Sequence, residues 1–228
     1  ILKTTVAERK FQTSLARTLL YIGVPMGLQF SITAIGSIML QSANNALGTA
    51  CVAAFTAAMR IKMFCMCPLE SLGIAMATYS GQNYGAGKVK RMRKSVGICL
   101  GMAYAGAFLV SGVLYALAAP LYRLFTTDAK VVQIGVDMMH FLLPSYFLYV
   151  AIGILSGALR GAGRVLVPML LTCGGVCFFR IVWMFGVFPG YPGINTIMLS
   201  YPVSWGITAV LFIIYYIRRF PKVKRIQE

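Results

Sequence analysis

The chain has 228 residues, 59% of them hydrophobic and only 11% charged, with a mean hydropathy of +0.78. Soluble domains run about 45–50% apolar and about 25% charged, so a water-soluble globule and a disordered segment are excluded. A single-span receptor is excluded too, because the apolar residues spread along the whole sequence. The formal charge of +16 would suggest nucleic acid in a soluble protein, but in a membrane protein it first asks where the basic residues lie. The opening ILKTTVAERKFQTSLAR is polar and basic, lacks the apolar run of a secretory signal, and starts on Ile, so the sequence reads as a piece of a longer chain.

A helix rises about 1.5 Å per residue, and a hydrocarbon core of about 30 Å therefore takes roughly 20 apolar residues to cross. Six stretches meet that length: 19–40, 51–79, 96–119, 136–157, 165–188 and 197–217. Between them fall Asn44 and Asn45, GQNYGAGK at 81–88, a polar segment at 120–130, LRGAGR at 159–164 and PGYPG at 189–193, each rich in residues that end helices. Six spans put both ends on one side. Sixteen Lys and Arg then fall on that side, against Arg123 and Lys130 on the other, which predicts it to be cytoplasmic. The net charge is thereby topogenic, in contact with anionic lipid headgroups, and no nucleic-acid partner is expected.

Along the first span Gln29, Thr33, Ser31, Ser37 and, at its end, Gln41 interrupt the apolar run, and Ser145, Tyr146 and Tyr149 do so in the fourth. Such groups either bond across helix interfaces or face water. Pro25, Pro68, Pro144, Pro168 and Pro202 each remove a backbone bond inside a span, as in the broken helices of transporters. Gly23/Gly27, Gly97/Gly101 and Gly153/Gly157 have the spacing that permits close helix approach. Gly81, Gly85 and Gly87 suit a chain leaving a helix through open conformations.

Charges inside spans are more informative, since each costs at least about 2.5 kcal/mol at the bilayer centre unless it meets water or a partner. Arg60, Lys62, Glu70 and Arg180 are those charges. Lys62 and Glu70, eight residues apart, lie roughly 80° apart in azimuth and about 12 Å in height on a straight helix, too far to pair. Lys62 either snorkels or turns inward; Arg180 either ties helices together or faces a cavity. His140, one turn after Asp137, is expected to bond it. Cys51, Cys65, Cys67, Cys99, Cys173 and Cys177 all sit in apolar stretches without metal-site spacing, so packing is their expected role and no metal is assigned. No carboxylate dyad or nucleophile motif is present, and no enzymatic activity is expected.

Five motifs in order then resemble one family. GVPMG at 23–27, GIAMATYSGQNYGAGK at 73–88, LYRLFTTDAKVVQIG at 121–135, SGALRGAGR at 156–164 and LSYPVSWG at 199–206 are similar to successive segments in the second half of multidrug and toxic compound extrusion transporters. The resemblance implies an all-α polytopic membrane protein whose six transmembrane helices form one lobe of a two-lobe, twelve-helix transporter. It divides the chain into a cytoplasmic lead-in or inter-lobe linker (1–18), a six-helix lobe (19–217) and a basic cytoplasmic tail (218–228). It further implies the carboxy-terminal half of a secondary active exporter of organic cations, driven by protons or sodium through alternating access, in a bacterial inner membrane. The partners implied are a second six-helix lobe, which would hold most of the coupling site, a small cationic substrate and membrane lipid; no cofactor is implied. The cavity-lining residues expected are Gln29, Thr33, Gln41, Arg60, Glu70, Tyr146, Tyr149 and Arg180. Two departures stand out: Thr33 and Tyr149 fall where some sodium-coupled members place carboxylates, and Arg180 is followed by Ile181 and Val182 without the family's proline. A lipid or lipid-linked oligosaccharide flippase lobe of related architecture is the alternative, favoured by Arg60, Lys62 and Arg180.

Overall fold

In a computed structural model that describes residues 11–219, every regular element is helical. The first helix, α1 (Thr13–Asn45), runs unbroken past Pro25, and Gly48, at φ 96°, turns the chain into α2 (Thr49–Gly85). Within α2 the segments before and after Cys65 are bent by 47°. Pro68 supplies the cause, because its missing N–H leaves the carbonyl one turn earlier, near the bend, unbonded.

The helices that follow are α3 (Val89–Ala116), a short α4 (Ala118–Arg123) and α5 (Ala129–Leu142). Asp128 caps α5, its Oδ1 accepting from the backbone N–H of Lys130 at 2.8 Å and of Val131 at 3.4 Å. One 3₁₀ turn at Leu143–Ser145, carrying Pro144, then joins α5 to α6 (Tyr146–Gly161), so 129–161 forms a single apolar crossing. The next crossing is composite. It runs through α7 (Leu166–Thr172), a π turn at Cys173–Phe178 and α8 (Phe179–Gly186), before α9 (Ile194–Arg219) closes the lobe. Five of these helical crossings are long and apolar enough to span a membrane, and the bent α2 is the sixth, one for each predicted span. The protein is a multi-pass membrane protein. Most of the lead-in 1–18 and of the tail 218–228 lies outside the described residues.

Two loops at the basic end share one geometry. After α2, Gly87 at φ 69° donates to the Tyr84 carbonyl at 3.0 Å while Lys88 reaches back to Asn83 at 2.8 Å. After α6, Gly163 at φ 76° donates to Arg160 at 2.9 Å while Arg164 reaches back to Leu159 at 3.0 Å. Both are paired caps that close the last helix carbonyls around a left-handed residue, a conformation glycine adopts at little cost. The GAG-plus-base similarity between the two loops is thus structural as well as sequential. Only Gly87 of the three glycines in its loop plays the role expected of all of them, since Gly81 and Gly85 are still helical.

The centre of the lobe is a parallel seam between α2 and α6. A Cβ added at Gly157 would collide with the Gly73 carbonyl, and one at Gly161 with the Ala77 carbonyl and, at 2.8 Å, with the Gly81 nitrogen. Gly73, Ala77 and Gly81 thus mesh with Gly153, Gly157 and Gly161 at four-residue intervals. The backbones come close enough for Cα–H···O contacts, which bind helices where lipid removes the hydrophobic drive between them. The pairs Gly23/Gly27 and Gly97/Gly101 have open space beside them instead. Around this seam pack α3, α5 and α9, while α1 leans on the α7–α8 crossing. Tyr122, fully buried against Gly135, fastens α4 by donating to the Ala54 carbonyl at 3.3 Å.

Two local expectations need correction. Pro168 is the third residue of α7, in the first turn where its missing N–H leaves no helical bond unmade, so it starts that helix without breaking it. The distortion expected there comes from the π turn, where Gly175 lets Thr208 of α9 approach too closely for a side chain. His140 does not pair with Asp137. Its Nε2 lies 3.1 Å from the Tyr115 carbonyl and its ring stacks on Tyr115 at 3.9 Å, while Asp137 accepts from Gln133 at 3.0 Å, one full turn away on its own helix.

Candidate functional site: a basic, aromatic cavity between two halves of the lobe

Because α1, α7–α8 and α9 stand against the α2–α6 seam without closing on it, a cavity of about 310 Å³ opens between them. Beside it, between α1 and the seam, runs a wider cleft of about 590 Å³; the two share Phe30, Tyr149, Gly153 and Arg160.

Four of the residues expected from sequence line the cavity: Gln29, Thr33, Tyr149 and Arg180. Thr33 donates to the carbonyls of Gln29 and Phe30, each at 2.9 Å, and Ser37 donates to Thr33 at 3.1 Å. These hydroxyls satisfy α1 itself and present their remaining lone pairs to the cavity. Glu70 lines the wider cleft, where its Oε1 accepts from the Tyr149 hydroxyl at 2.8 Å. That bond ties the two spaces together across the seam.

The remaining three stand elsewhere. Arg60 is exposed on the outer face of α2, since the turn that buries Ala57, Ala58 and Ile61 points it away. Gln41 lies near the end of α1 and donates to Asn45 at 3.1 Å. Tyr146 is buried beneath the cavity, with its ring 5.6 Å from that of Trp205.

Trp205 is the hub that sequence reading left out of the site. Tyr149 lies 5.3 Å and Tyr201 5.6 Å from its ring, and two cations lie over it, Lys62 at 5.6 Å and Arg180 at 5.9 Å. Lys62 is also 5.1 Å from the Tyr149 ring, so it turns inward instead of snorkelling; Arg180 lies 4.0 Å from the Tyr201 ring. Only 7% exposed, Arg180 donates from Nε to Ser204 Oγ at 3.2 Å, which both braces α8 on α9 and aims the guanidinium at the cavity. Its tyrosine and tryptophan faces come from the SYPVSW run of α9, and the available signal was the spacing of Tyr201 and Trp205 on one helical face.

Arg160 is the second omission. Read as a loop residue, it belongs to the last turn of α6, which carries on past the predicted span end; it donates to Ser156 Oγ at 2.7 Å and lines both spaces. Among the described residues, the cavity wall therefore holds three cations, Lys62, Arg160 and Arg180, and no carboxylate.

Comparison with known proteins agrees with this architecture. The MatE family model matches residues 23–185. The probable multidrug resistance protein YoeA of Bacillus subtilis is 25% identical over 94% of this chain and 46% of its own length. A probable multidrug resistance protein NorM of Chromobacterium violaceum is 30% identical over 67% of this chain and 33% of its own. Among solved structures, a mutant of the Vibrio cholerae MATE transporter VcmN superposes with a TM-score of 0.86 at 19% identity, over 96% of this chain and half of that one. An outward-facing MATE transporter of the MOP superfamily gives 0.87 at 19% identity, over 96% and 49%. The chain thus spans about half the length of the relatives it matches, as one lobe of two. With the family model covering most of its length, the chain belongs to the MatE family of multidrug and toxic compound extrusion transporters.

Proposed function

We propose that this lobe forms half of an ion-coupled exporter of small organic compounds that works by alternating access. The observation that carries the reading is the cavity itself: a mixed polar and aromatic space between two halves of a bundle, with bent and wound helices on its walls. A second six-helix lobe would complete the wall, and protons or sodium would drive transport. For a cationic substrate, Glu70 in the wider cleft is the charge this lobe can offer. In the complete transporter, reconstituted with a proton or sodium gradient, a fluorescent organic cation is expected to be expelled, and Glu70→Gln to slow that export several-fold per folded molecule. Export that is unchanged would take Glu70 out of the site; no gradient-driven export at all would overturn the reading.

We infer that the end bearing Gly87 and Gly163 faces the cytoplasm of a bacterial inner membrane, because it gathers most of the basic residues among the described ones. A cysteine at Lys90 should then react with impermeant thiol reagent only from the cytoplasmic side, and one at Tyr191 only from outside. Labelling with the opposite sidedness would reverse the orientation.

The flippase alternative gains from one observation, the three cations of the cavity wall. Arg60, counted toward it from sequence, does not contribute.

A further inference from the structure

Among the described residues, five buried side-chain polar atoms lack a hydrogen-bond partner, and three of them belong to residues that line the 310 Å³ cavity: Arg160 Nε, Arg180 Nη2 and Thr172 Oγ1. The first two can only donate, and the third is a hydroxyl able to donate. Lys62 adds an ammonium whose contacts in the cavity are two ring faces. Donors held in a low-dielectric space without acceptors are costly, and the group that relieves the cost is an anionic oxygen.

We propose that this cavity is a binding site for an acidic group, a carboxylate, sulfonate or phosphate, carried on an aromatic or amphiphilic molecule. Arg180, fixed by Ser204 and lying over Tyr201, keeps a buried Nη2 without a partner; Lys62 of α2 and Arg160 of α6 line the same cavity, so positive charge reaches its wall from three helices. The aromatic requirement comes from Phe30, Tyr149, Tyr201 and Trp205 on the same walls. The carboxylate of Glu70 is engaged with Tyr149 in the adjoining cleft and does not line this space. This inference names a substrate feature for the exporter proposed above and takes its place in transport from that reading, but binding at the site can be measured independently of transport.

The test uses the complete transporter in phosphatidylcholine vesicles and two probes with one ring system, 1-naphthalenesulfonate and 1-naphthyltrimethylammonium. The sulfonate is expected to bind, and Lys62→Gln and Arg180→Gln each to weaken it on the order of tenfold, the loss of one charge-assisted bond, with the ammonium probe unaffected or bound more tightly. Arg180→Lys, which keeps the charge, should recover part of the sulfonate affinity and guards against a variant that merely misfolds. Phosphatidic acid added to the vesicles separates the two sources of such a group: competition with the sulfonate identifies a lipid headgroup, and its absence a free organic acid. No sulfonate binding by the unmodified transporter, or equal losses for both probes, would overturn the proposal, as happens if carboxylates of the other lobe already pair these cations. Sulfonate binding without gradient-driven export of any probe would instead overturn the exporter reading and leave the site standing.

Discussion

Replacing Gly157 by leucine is expected to prevent the lobe from folding, whereas the same change at Gly101 should be tolerated. Even a single Cβ at Gly157 would collide with the backbone carbonyl of Gly73 and come within 3.4 Å of the Ala77 nitrogen, so no side-chain rotation relieves it. Relief requires α2 and α6 to separate along a seam that also holds Gly161 against Ala77 and Gly81. The cost should exceed the roughly 1–3 kcal/mol usual for overpacking a core, where flexible side chains share the strain. Gly101 belongs to a pair with the same four-residue spacing but has nothing within 4 Å of the added atom, and leucine there gains helix propensity. The yield of monodisperse complete transporter on size exclusion gives the comparison. Equal yields for the two variants would mean that the seam does not hold the lobe together.

That contrast also shows what the sequence could and could not convey. Span number and order were legible because hydrocarbon thickness dictates helix length, and the two GAG loops were legible because a left-handed cap favours glycine. Azimuth was not. In a soluble bundle the buried face is the apolar one, but a membrane helix is as apolar toward lipid as toward its neighbours, so the pattern that would separate Gly157 from Gly101 is erased. α1 illustrates this, with Leu20, Val24, Ile35 and Ile38 exposed on the same helix that buries Gln29. Charged residues were better guides to the cavities, because their cost inside the membrane demands a partner or a cavity; Glu70 and Arg180 line these spaces, although Arg60, singled out on the same ground, does not. Even so, the partners of Glu70 and Arg180 sit on other helices, Tyr149 on α6, 79 residues from Glu70, and Ser204 on α9, the helix that follows that of Arg180. Arg160 was hidden for a different reason: a basic residue just before a GAG turn looks topogenic, and only the continuation of α6 to Gly161 turns it inward.

The second large effect is expected at Trp205, where alanine should cost both stability and export. The indole is 2% exposed and touches the rings of Tyr146, Tyr149 and Tyr201, which belong to two helices, α6 and α9. Deleting a packed tryptophan costs about 3–5 kcal/mol in soluble cores. A value near the lower end is expected here, since dispersion contacts are lost but no strong hydrophobic transfer term adds to them within a bilayer. The loss should be larger for function, because Lys62 and Arg180 both lie over this ring and would lose the surface that orients them. Phenylalanine and leucine at the same position separate the two contributions. If Trp205 only fills space, both replacements should recover thermal stability and export alike. If its electron-rich face holds the cations, phenylalanine should retain more export than leucine at similar melting temperature, since a ring still attracts a cation and an isobutyl group does not. The measurements are the melting temperature of the complete purified transporter and its export rate per folded molecule. A Trp205→Ala protein that melts and exports like the parent would remove Trp205 as the hub of this cavity.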